Sequence, residues 1–145
     1  METYVEFRSD QFPPYESEQY EVNPGRYGKR LADFLQQGLF KRGFEAEKPS
    51  AEDWGWIVNI RNDHYRLWIG CGNYDEYPED GFLCFIDPHK PTIRRFLRKI
   101  DVSERVRQLR DAVDDILNAD PSIRGKRWWT FDDFRNPSAR ANCKP

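Results

Sequence analysis

The sequence predicts a single α+β domain: one antiparallel sheet of four or five strands with the helices packed on one face. Three observations carry this. Residues 54–60, 65–71 and 82–86 are runs of aromatic, β-branched and other apolar side chains, and the first two alternate with period two. The turn between those two, Arg61–His64, is too short for a crossover, so they pair antiparallel and the third run completes a meander. Two stretches outside the meander carry apolar residues at helical spacing. Strands adjacent in sequence with helices outside the run make the α+β order. The domain is expected to span 1–134, with 135–145 as a flexible tail that lacks core-forming residues.

The elements follow in order. Thr3–Arg8 mixes β-branched and aromatic types and reads as a first strand. Residues 9–25 are polar and hold Pro13, Pro14, Pro24 and Gly25, so they read as a loop. A helix is expected over 24–42, with Asn23 as cap and Pro24 in the first turn. Its stripe is Tyr27, Leu31, Phe34, Leu35 and Leu39, and Gly43 stops it. Strand 54–60 is expected to place Trp54, Trp56, Val58 and Ile60 on one face. Strand 65–71 places Tyr65, Leu67, Ile69 and Cys71 on one face, with Arg66 and Trp68 on the other. Gly72–Gly81 links it to strand 82–86. In 92–100, Ile93, Phe96, Leu97 and Ile100 fit a basic amphipathic helix. Asp101 with Glu104 reads as a capping box for a further helix to about Asn118. Residues 123–131 form a candidate last strand, on which Trp128 and Trp129 cannot both face inward.

Composition narrows the functional classes. The net charge is -2, which argues against a globally basic nucleic-acid binder. No run approaches the length of a membrane span, and no basic-then-apolar leader is visible, so the expectation is a soluble cytoplasmic chain with no membrane partner. An odd count of three cysteines without a C-x-x-C pair argues against disulfides and structural zinc. Cys71 and Cys84 read as buried thiols. Phosphate-loop, dinucleotide, nucleophile-elbow and H-E-x-x-H motifs are absent, and no cofactor is expected.

Charge is segregated along the chain. Residues 1–25 hold six acids and one arginine, whereas 90–110 hold eight bases and two acids. Within 72–81, Tyr74 and Tyr77 interleave with Asp75, Glu76, Glu79 and Asp80. Aromatic anchors in an electrostatic guide suit a protein partner with a basic surface, although a solvated loop has the same composition. Asp63, His64, Asp87 and His89 are expected at one end of the sheet, where they form an acid–base or metal candidate or serve as ordinary turn residues. Arg94, Arg95, Arg98 and Lys99 on the expected basic helix make a nucleic-acid candidate. In size, acidity, charge segregation and α+β order the chain resembles small bacterial immunity or adaptor proteins. That resemblance is one of type and carries over no residues. The leading expectation is a protein-binding module of immunity or inhibitor type; the alternatives are an enzyme using the Asp/His group and a nucleic-acid accessory protein.

Overall fold

The computed structural model describes residues 1–22, 27–73 and 80–141. It has eight strands: β1 (Glu2–Arg8), β2 (Ser50–Glu52), β3 (Gly55–Ile60), β4 (Leu67–Gly72), β5 (Gly81–Asp87), β6 (Thr92–Arg95), β7 (Arg98–Asp101) and β8 (Arg124–Thr130). The helices are α1 (Lys29–Lys41), α2 (Ser103–Ala119), and the short α3 (Phe131–Phe134) and α4 (Pro137–Ala141). Six strands form one antiparallel sheet in the order β2-β3-β4-β5-β1-β8, and β6 and β7 form a separate hairpin. The α+β class agrees with the sequence reading; the count of four or five strands does not. The difference lies in β2, three exposed polar or small residues with no apolar signal, and in the hairpin, which replaces the helix expected over 92–100.

Pleat alternation divides the side chains between two faces. On one face lie Val5, Phe7, Trp56, Val58, Ile60, Leu67, Ile69, Cys71, Phe82, Cys84 and Ile86, all buried. Onto them pack Leu31, Ala32, Leu35 and Leu39 of α1 and Val106, Leu109, Val113, Ile116 and Leu117 of α2. Cys71 and Cys84 are paired across β4 and β5 as buried free thiols, and burial pushes the Cys84 thiol up.

The opposite face carries an aromatic layer. Phe85 stacks on Tyr4 at 5.3 Å between ring centroids and meets Trp54 and Trp68, each at 5.4 Å. Trp54 therefore departs from the expected alternation with Trp56. It sits in the turn between β2 and β3, ahead of Gly55, so the strand pleat does not govern it. The α3 residues Phe131 and Phe134 pack on Tyr4, and Arg140 of α4 pairs with Glu6. Thus residues 135–141 of the expected tail include a short helix, while 142–145 lie outside the described residues.

The start of α1 is held by an unexpected residue. Glu18, in the 3-10 turn Glu16–Tyr20, is fully buried. Its carboxylate accepts from the backbone N–H of Tyr15 (2.9 Å), Gly28 (3.0 Å) and Lys29 (3.3 Å), and from Trp56 Nε1 (3.2 Å). It satisfies donors that the first helical turn leaves open, the task expected of Asn23, which lies outside the described residues.

At the other end of the sheet Asp114 ties α2 to β8. It accepts from Trp128 Nε1 at 2.7 Å and from Lys126 Nζ. Burial alone would raise this carboxyl; the bonds from Lys126 and Trp128 and the charges of Lys126 and Arg110 outweigh it and hold the group below its ordinary 3.8. Its stabilisation is therefore complete above the unfolded value and is lost as pH falls through the lower folded value. Asp114→Asn should lower stability at pH 7 and show a smaller further loss on acidification than the parent, as read by urea unfolding at neutral and acid pH. Equal acid sensitivity in both proteins would remove Asp114 from the acid response.

Candidate interaction surface

The sequence-predicted sites fare differently. Asp63 and His64 are exposed in the β3–β4 turn, and the His64 carbonyl accepts from Arg95 Nη1. Asp87 ends β5, its carboxylate lies 3.8 Å from His89 Nδ1, and the His89 ring stacks on Phe131 at 3.9 Å. The two Asp–His pairs thus have different neighbours. Among the described residues no group of three or more His, Cys, Asp or Glu is placed to hold a metal ion. Tyr74, Asp75, Glu76, Tyr77 and Glu79 lie outside the described residues. Asp80 is engaged internally by Arg8 at 2.9 Å and by Arg124. Its hydrogen bond from Arg8 is the main cause of a carboxyl held below the ordinary range, with Arg124 adding to it.

Arg94, Arg95, Arg98 and Lys99 come together, but on β6 and β7 rather than on a helix. The residue classes explain the hairpin. Ile93-Arg94-Arg95-Phe96-Leu97-Arg98-Lys99-Ile100 reads apolar, basic, basic, apolar, and then the same in reverse. Folding about the Phe96–Leu97 midpoint pairs Ile93 with Ile100, Arg94 with Lys99 and Arg95 with Arg98. The two isoleucines pack against the core and anchor the hairpin. Its base is closed by Val102 N–H donating to the Pro91 carbonyl at 2.9 Å. At the tip the two-residue turn leaves Phe96 92% and Leu97 97% exposed.

Three features of this hairpin work against its own stability. Phe96 has φ 57°, in the left-handed region, where a side chain costs on the order of 1 kcal/mol or more. It is the only non-glycine residue with positive φ among the described residues. Two large apolar side chains remain in water. Cations also face cations across the strands at Arg94/Lys99 and Arg95/Arg98, an unfavourable pairing. Local rules are broken together in this way where a surface has a use that folding alone does not explain.

A shallow depression of about 500 Å³ lies at the foot of the hairpin, lined by Asn62, Asp63, Tyr65, Arg66, Ile93, Arg94 and Arg95. Asp63 is the one acid among these seven. Sequence reading located the basic residues but missed Phe96 and Leu97 as a tip. The mirror symmetry of 93–100 was the available signal. No family model, curated protein or solved structure matches the chain.

Proposed function

We propose that the chain is a small protein-binding module that acts by stoichiometric association, in the manner of an immunity or inhibitor protein, and that the β6–β7 hairpin is its principal contact. The observation that carries the reading is the pair Phe96 and Leu97, adjacent, apolar and more than nine-tenths exposed on an anchored hairpin. Interface energy concentrates in a few large side chains that fill pockets on a partner. The backbone is already held by the Ile93–Ile100 anchor, so little ordering cost remains on binding. The expectation of a partner with a basic surface rests on the acidic stretch of 72–81, and only Asp80 of its charged and tyrosine residues is described.

The test separates fold from function. Phe96→Gly relieves the left-handed backbone and removes an exposed ring. Its stability in urea should be unchanged or raised by up to about 1 kcal/mol. The Phe96→Gly/Leu97→Ser double variant, immobilised and exposed to extract from the native source, should lose a stoichiometric protein that the parent retains. Retention of that protein, or a clear drop in stability of the single variant, would give the tip a structural role instead.

A further inference from the structure

We infer that the hairpin's partner presents an acidic rim around an apolar socket for Phe96 and Leu97, an inference that rests on the protein-binding reading above. Ion pairing across the molecule is the basis. Arg8 and Arg124 are paired with Asp80, Arg61 with Glu45, Arg107 with Glu104, Arg110 with Glu2, Lys126 with Asp114 and Arg140 with Glu6. Arg94, Arg98 and Lys99 have no such partner among the described residues; Lys41, Lys48, Lys90 and Arg105 also lack one, but only on the hairpin do such cations lie opposite other cations across paired strands and beside an exposed apolar pair. Arg95 is the exception in its group, since it donates to the His64 carbonyl.

These three cations lie close together along the hairpin, from Arg98 beside the tip to Arg94 and Lys99 one pair further down. Ile93 and Ile100 face the core, so Arg94 and Lys99, one position along each strand, point to the other side of the hairpin. Arg98 lies next to Leu97 at the turn. An approaching carboxylate would relieve the Arg94–Lys99 repulsion that the hairpin carries when free. At the foot of the hairpin, Arg66, Arg94 and Arg95 outnumber Asp63, which leaves space and excess positive charge for a second acidic side chain. The ligand is a compact acidic patch rather than an extended polyanion. Phe96 and Leu97 at the tip need an apolar socket, which a folded protein partner supplies and the backbone of a polyanion does not.

The experiment uses the full chain and two variants: Phe96→Gly/Leu97→Ser for the tip, and Arg94→Gln/Arg98→Gln/Lys99→Gln for the charge. Arg95 is left in place because it anchors the turn below. Each is exposed to source extract, to phosphatidylserine vesicles and to single-stranded DNA of mixed sequence. The captured protein is then purified and titrated at low salt and at about 0.5 M salt, where charges more than a few ångströms apart are screened. The expected result is one stoichiometric protein lost with the tip variant. The charge variant should bind it roughly ten- to hundredfold more weakly at low salt, and with a flatter salt dependence. A partner that needs the tip but binds the charge variant with unchanged affinity and salt dependence overturns the acidic rim and leaves the protein-binding reading standing. A partner indifferent to the tip, capture of no protein, or tip-dependent binding to vesicles or DNA alone overturns both.

Discussion

Glu18→Ala is expected to cost about 3–5 kcal/mol, the largest single loss from any side chain outside the hydrophobic core. The carboxylate is completely buried and accepts from four N–H groups on three separate elements: the turn at Tyr15, the α1 start at Gly28 and Lys29, and the core strand β3 at Trp56. Alanine leaves all four donors without their acceptor. Each buried, unsatisfied group costs on the order of 1–3 kcal/mol, and the positive end of α1 loses its counter-charge. Domains of this kind are stable by roughly 5–15 kcal/mol, so the variant should unfold at a much lower urea concentration. Glu18→Gln separates shape from charge: its amide oxygen still accepts, but its NH₂ faces a donor, so the loss should be intermediate. An unfolding free energy for Glu18→Ala within about 1 kcal/mol of the parent would mean that water replaces the carboxylate.

The second large effect is expected on the opposite face of the sheet. Gly70 of β4 lies beneath the Phe85 ring, and a Cβ added there would be 2.4 Å from the nearest ring atom. That separation is not accommodated without moving the ring. Phe85 is held by Tyr4, Trp54 and Trp68, so it has little freedom to yield. Gly70→Ala should therefore destabilise by about 3 kcal/mol, near the top of the range for overpacked sites. The cause is specific and a double-mutant cycle isolates it. Phe85→Leu should cost stability alone yet recover much of the loss when combined with Gly70→Ala. Simple additivity of the two substitutions would show that the clash is relieved elsewhere.

Much of the fold could be read in the sequence, and the exceptions have physical reasons. The β3–β5 meander and the α1 and α2 stripes were legible because their periodicities are local and repeated. The 92–100 segment was not, because four apolar residues at 93, 96, 97 and 100 satisfy a helix and a hairpin equally. What decides between them is the packing of Ile93 and Ile100 on a distant core. Strand β2 carries no apolar signal and exists by pairing with β3. Trp54 looked like a core partner of Trp56 until the turn moved it to the other face. Glu18 was invisible for another reason: a glutamate in a polar loop looks solvated, and only the tertiary meeting of α1, β3 and its own turn makes it an acceptor. The basic residues of the candidate surface were found by counting charge. The apolar tip was absorbed into a helical stripe, which would have buried the residues that the hairpin exposes.

The placement of β1 has a consequence for how the chain is made. Its strand lies between β5 and β8, with Val5 opposite Cys84 on one side and Trp128 on the other. During synthesis at roughly 5–20 residues per second, the wait between Arg8 and Thr130 is on the order of ten seconds. Throughout that interval the backbone of β1 has at least one open flank. The nascent chain must keep a pairing-competent strand, apolar on one face only, from recruiting the wrong neighbour. Residues 1–25 carry six acids, Glu2 and Glu6 within β1 itself, so a second copy offered to the open strand would meet like charge.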